Sequence, residues 1–135
     1  MEMKSILLIE DDKLIAELER RALAGEGLKV EAVETLNEAR EAMNSQPFDL
    51  ILADLQLATG GAEDTIEFLM PHAASIPIVI CSGHYATSRG LTLRTTCKLA
   101  GFMDYLDKFD LAVHSPSLSE KLLASYERFH STKPA

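Results

Sequence analysis

The sequence predicts an α/β domain in which a five-stranded parallel sheet carries helices on both faces. Three observations lead there: short apolar runs recur along the chain, stretches of helical spacing separate them, and the runs stop abruptly at polar residues. A run such as Ile6-Leu-Leu-Ile9 has no polar face, as expected of a strand buried on both sides. Parallel neighbours need crossover connections, and these are right-handed, so alternating strands and helices imply one sheet covered twice. In open sheets of this kind ligands bind beyond the carboxyl ends of the strands, near the point where strand order reverses. The polar residues that end the runs therefore fall where a site is expected.

The first strand, Ile6 to Ile9, precedes Glu10-Asp11-Asp12, of which Asp12 reads as a turn former or helix cap. Lys13 to Ala24 follows as a helix with Leu14, Ile15, Leu18 and Ala22 at helical spacing, and Gly25 and Gly27 offer left-handed stopping points. Leu28 to Val33 alternates as a second strand. Thr35-Leu-Asn-Glu38 has the form of a capping box opening a helix with Leu36, Ala39 and Met43 on one side, and Pro47 marks its end. The third strand is the apolar run Leu50 to Ala53 inside FDLILADLQL, stopping at Asp54. A loop with Gly60 and Gly61 leads to a helix near Ala62 to Ala73, with Ile66, Leu69 and Met70 inward. Pro77 opens the fourth strand, Ile78 to Cys81, which stops at Ser82. From Gly83 to Ala100 the threonines 87, 92, 95 and 96 are indifferent helix formers and Gly90 interrupts, which predicts a long loop and then a helix ending at Gly101. Phe102 to Leu106 forms the fifth strand, followed by Asp107 and Lys108. Ser115 as cap and Pro116 as first helical residue open the last helix, with the stripe Leu118, Leu122, Tyr126 and Phe129.

A chain of 135 residues is long enough to bury a core without disulfides or a structural metal, and one domain over residues 1–130 is expected, with residues 131–135 as a fraying tail. Thirteen basic against 21 acidic residues give a net charge of -8, which argues against a nucleic-acid backbone or an anionic membrane as partner. Cys81 and Cys97 lack metal-ligand spacing and read as reduced thiols. The N-terminus carries neither a signal peptide nor a spanning segment, so a cytoplasmic location is expected.

A carboxylate at the end of a buried strand needs a task. Glu10, Asp11 and Asp54, brought to neighbouring strand ends, repel by about 4 kcal/mol per pair at 4 Å with an effective dielectric near 20. A hard divalent cation relieves this, and magnesium, or manganese, takes one or two carboxylates, waters and phosphate oxygens. The cluster thus reads as a place where an anion reaches a carboxylate, with Asp54 accepting a phosphoryl group. Lys108 can pair with Asp54 before reaction and with phosphoryl oxygens after it, and Ser82 offers a hydroxyl. Each of these alone would be unremarkable; their joint placement at four strand ends carries the reading.

The motifs LLIEDD, LILADLQL, PIVICSG and AGFMDYLDK together resemble the receiver domains of two-component response regulators, over nearly the whole chain. The resemblance implies the (βα)5 flavodoxin-like fold, Asp54 as phospho-acceptor, Glu10 and Asp11 as the magnesium-holding acids, and the Gln56 backbone carbonyl as a further ligand. It also implies Lys108 as the essential lysine, Ser82 as the hydroxyl that follows the phosphoryl group, and Tyr105 as the switch aromatic. Gln56 and His84, each two residues past a site residue, are implied to tune phosphate lifetime. A sensor histidine kinase or histidine phosphotransfer protein is the implied donor. The activity it implies is self-phosphorylation from that donor with slow self-hydrolysis, and not turnover of an external substrate.

Phe109 stands where the family usually has a proline, so the bond after Lys108 is expected to be trans. Ala58 and Ala62 replace a usual proline and glycine, and the interval from Ser82 to Lys108 is longer than usual. A stand-alone receiver is expected, which passes phosphate on or binds a target through its fourth helix, fifth strand and fifth helix, with room for a weak homodimer. One alternative is a non-phosphorylated pseudo-receiver acting as an interaction module. Another, a flavin domain with Thr59-Gly60-Gly61 as phosphate loop, is disfavoured because that loop belongs after the first strand, where acids stand.

Overall fold

The computed structural model describes residues 2–55, 61–83, 88–108 and 117–131. In chain order the elements are β1 (Ser5–Ile9), α1 (Lys13–Ala24), β2 (Lys29–Val33), α2 (Leu36–Ser45), β3 (Leu50–Asp54) and α3 (Ala62–Leu69). A 3-10 turn (Met70–His72) follows, then β4 (Ile78–Ser82), α4 (Ser88–Leu99), β5 (Asp104–Asp107) and α5 (Leu118–Ser131). The five strands are parallel and lie in the order β2-β1-β3-β4-β5, so strand order reverses between β1 and β3. The expected architecture, helices on both faces of one parallel sheet, is the observed one.

Side chains alternate across the sheet, as strand geometry requires. Ile6, Leu8, Leu50, Leu52, Val79 and Leu106 meet Ala16 and Leu23 of α1 and Leu118, Leu122 and Tyr126 of α5. Leu7, Ile9, Ile51, Ala53 and Ile80 meet Ala39 of α2, Ile66 and Leu69 of α3, and Leu93 and Cys97 of α4. Each fully buried leucine or isoleucine contributes about 1.5–3 kcal/mol, so these two layers supply the main cohesion of the fold. Asp104 ties α5 to β5, accepting from Ser125 Oγ at 3.4 Å and from Arg128 Nη2 at 3.3 Å.

The caps decide where the helices start. Asp12 accepts from the backbone N–H groups of Leu14 and Ile15, and Thr35 Oγ1 accepts from the Glu38 N–H, one half of the expected capping box; the Glu38 carboxylate reaches one residue further back and accepts from the Glu34 N–H and the Thr35 hydroxyl. At the end of α4 the N–H of Phe102 reaches the Cys97 carbonyl at 3.1 Å, a return that needs the left-handed φ of 91° at Gly101.

Five local expectations are corrected. The inward face of α1 is Ala16 and Leu23, whereas Leu14 and Leu18 are 70 % and 60 % exposed. A 3.6-residue period fits two phases of this helix, and small Ala16 suits the close approach of α1 to the sheet. Met70 is exposed, because the chain tightens into the 3-10 turn at Pro71 and leaves the α3 face. The helix expected after a long loop begins at Ser88, so burial of Gly90, Leu93 and Cys97 outweighs the weak propensity of the threonines. Phe102 is buried but precedes the fifth strand, which starts at Asp104 after the Gly101 turn. The last helix starts at Leu118, with Ser117 Oγ accepting from Glu120 N–H at 3.4 Å; Ser115 and Pro116 lie outside the described residues.

Candidate functional site

Parallel register brings the site together. Ile9 stands opposite Ala53, Asp54 opposite Cys81, and Ser82 opposite Asp107. Glu10, Asp54, Ser82 and Lys108 therefore share the carboxyl end of the sheet, at and beside the β1/β3 reversal. Backbone bonds fix the ends: Glu10 N–H donates to Val33 O at 2.9 Å and Lys108 N–H to Ser82 O at 3.0 Å.

Oxygens of Glu10, Asp11 and Asp54 lie within 4.8 Å of one another. Lys108 Nζ sits among them, 3.0 Å from Asp54 Oδ2 and 2.5 Å from Glu10 Oε1. Glu10 is only 1 % exposed. Burial, together with a hydrogen bond to Asp54, pushes its carboxyl well above the usual glutamate range, against the pull of Lys108. Burial works against the Lys108 ammonium, yet its bonds to Glu10 and Asp54 outweigh that and hold its pKa above the ordinary lysine value. One ammonium cannot balance three carboxylates. The donor set is made of hard oxygens only and fits a hard divalent cation.

Ser82 is buried on the opposite side of this end of the sheet, continuing the alternation of Ile78 and Ile80. Tyr105 is half-buried beside it against the α4 layer. Burial raises the Tyr105 phenol, and the Ser82 hydroxyl offsets part of that rise. Both cysteines are free and buried, and burial pushes Cys97 up to about 12. Gln56, Ala58, the Thr59-Gly60 part of the alternative loop, His84 and Phe109 lie outside the described residues.

Sequence reasoning missed Glu19. Its Oε2 is buried with no hydrogen-bond partner among the described residues, and desolvation raises its carboxyl to about 7. A second phase of α1 puts Ala16, Glu19 and Leu23 on one face, but spacing alone does not choose it over the Leu14/Leu18 face.

No helix among the described residues is long and apolar enough to cross a membrane. The KDP operon transcriptional regulatory protein KdpE of Escherichia coli K12 is 34 % identical over 109 residues, covering 78 % of this chain and 45 % of that protein. The DNA-binding transcriptional regulator NtrC of Proteus hauseri is 24 % identical over 127 residues, covering 93 % of this chain and 26 % of the relative. The chain thus spans less than half the length of these curated relatives. Among solved structures, a CheY-like response regulator receiver domain from Methanospirillum hungatei JF-1 superposes with a TM-score of 0.77 at 22 % identity, covering 98 % of this chain and 100 % of that one. The sequence itself matches the response regulator receiver domain over residues 6–112, and the chain belongs to that family.

Proposed function

We propose that the chain accepts a phosphoryl group on Asp54 and that the modified domain presents an altered surface to its partners. The observation that carries this reading is the Lys108 ammonium held between Asp54 and Glu10 inside a cluster of three carboxylates. An Asp54 oxygen attacks phosphorus and forms an acyl phosphate; the bond from phosphorus to the donor atom breaks, and its electron pair leaves with the donor. Such transfer depends on positioning and on neutralising charge. Glu10, Asp11, Asp54 and the Gln56 carbonyl would hold Mg2+ or Mn2+, which supplies charge neutralisation at the phosphoryl oxygens. Lys108 keeps the acceptor oxygen in place and then pairs with the product. Ser82 donates its hydroxyl to a phosphoryl oxygen, and Tyr105 moves with it. Gln56 and His84, which lie outside the described residues, are proposed to tune how long the phosphate survives.

Only a difference in contacts between two conformations shifts their populations. Moving from one to 99 per cent active needs about 5.5 kcal/mol, which a few charge-assisted hydrogen bonds in a partly buried site approach. The proposed donor is a sensor histidine kinase or a histidine phosphotransfer protein, and the proposed output surface is α4, β5 and α5, which can also support a weak homodimer. Two-component signalling is the setting the family implies.

The test is incubation with magnesium and acetyl phosphate, followed by intact mass. One added phosphoryl group in the wild type and none in Asp54→Asn is expected. The rate at which that mass is lost should change when Gln56 or His84 is replaced. Absence of the gain, where another receiver domain reacts, would refute the proposal and leave the pseudo-receiver reading.

A further inference from the structure

Glu19 is a half-buried acid, with its Oε2 buried, that the proposed transfer does not use. It projects from the face of α1 that carries Ala16 and Leu23, both packed in the layer shared with α5. Glu10, Asp54 and Lys108 project to the same side of the sheet, since they continue the alternation of Leu8, Leu52 and Leu106. Cys81 lies on this side too, and of the charged groups acting on it Glu19 acts most strongly. Lys108 and Asp54 are in turn the charged groups whose fields reach Glu19. An orphaned buried oxygen is costly, and an apolar side chain would fill this place without that cost. The carboxylate therefore calls for a state of the molecule in which it has a partner.

Lys108 is the cation whose field reaches it. Its ammonium is shared between two carboxylates that the cation reading assigns to the metal, and at 2.5 Å from Glu10 Oε1 it would be repelled once that carboxylate carries a divalent cation. It then needs another anion on the same side of the sheet. We propose that Glu19 is a positioning residue: it takes over the contact that Lys108 gives up at Glu10, and so keeps the lysine beside Asp54 in the cation-loaded domain. This inference rests on the reading of Glu10, Asp11 and Asp54 as a cation site.

The test is calorimetric titration of magnesium into the full chain at pH 8, where Glu19 is ionised. The wild type is compared with Glu19→Gln, Glu19→Leu, Lys108→Met and the Lys108→Met/Glu19→Gln double variant. The Kd should rise about fivefold to tenfold in both Glu19 variants, the size expected for losing one partly screened charge contact. Adding Glu19→Gln to Lys108→Met should change it by less than about twofold, because a coupling carried by Lys108 vanishes with Lys108. Thermal unfolding without magnesium provides the control: Glu19→Leu should melt no lower than the wild type, so weaker binding cannot be lost structure. Should it melt lower, the isosteric Glu19→Gln carries the comparison. A Kd within about twofold of wild type in both Glu19 variants, or an equal loss with and without Lys108, overturns the proposal. Wild-type protein that binds no magnesium overturns the cation site and the Glu19 role together; wild-type binding matched by the variants overturns the Glu19 role alone.

Discussion

Replacing Lys108 by Met keeps most of the side chain's volume and removes its charge. The side chains concerned are 16 % exposed for Lys108, 1 % for Glu10 and 11 % for Asp54. Removing one partner from a buried ion pair costs about 3–5 kcal/mol, because the other charge stays buried and unpaired. Proton uptake limits the cost here. Glu10 is already pushed toward its neutral form by burial and by its bond to Asp54, and losing Lys108 pushes it further. The expected loss is therefore about 2–3 kcal/mol at pH 8, and no more than about half of that at pH 5.5, where Glu10 is neutral in either protein. At about 4 °C per kcal/mol for a domain of this size, the melting temperature should fall by about 8–12 °C at pH 8. Circular dichroism melts at both pH values without magnesium measure it. A fall under about 3 °C at pH 8, or the same fall at both pH values, would refute the assignment of Lys108 as the counter-ion of a buried carboxylate.

Stability without magnesium should decline as pH rises from about 5 to 8. Glu10 and Glu19 both titrate above the ordinary carboxylate value in the folded state, Glu19 at about 7. The folded chain then binds protons that the unfolded chain has released, so the unfolding free energy falls through that window. Lys108, raised in the folded state, stabilises throughout it and adds no slope. Urea denaturation at the two ends should show the decline in wild type and roughly half of it in Glu19→Leu; a flat wild-type profile would contradict the burial of both acids. On α1, Leu18→Ser should change stability by less than about 0.5 kcal/mol and Leu23→Ala should cost about 2–5 kcal/mol by the same method, and the reverse order would restore the Leu14/Leu18 face as the buried one.

β1, β3 and β4 were legible because burial on both faces leaves uninterrupted apolar runs, and the acids and Ser82 of the site because they end or directly follow those runs. Register did the rest, since parallel pairing of Ile9 with Ala53 leaves Glu10 and Asp54 side by side. Helix phase was not legible in α1. Leu14 and Leu18 outscore Ala16 and Glu19 by hydrophobicity, and the choice between the two faces depends on how closely the helix approaches the sheet, which spacing does not encode. The start of α4 was hidden for a related reason: threonine-rich sequence has little intrinsic preference, and the helix is held by Leu93 and Cys97 reaching the core. The Lys108–Glu10 contact was missed because pairing a lysine with an acceptor aspartate says nothing about a second carboxylate beyond it.

Alternation along β3, β4 and β5 sends Asp54 and Lys108 toward the α1/α5 layer, and Ser82 with Tyr105 toward the α4 layer. Under the proposed function, a phosphoryl group on Asp54 would meet different side chains on the two sides of the sheet. A protein seated on α1 and another seated on α4 would each read the same event without competing for the same ground.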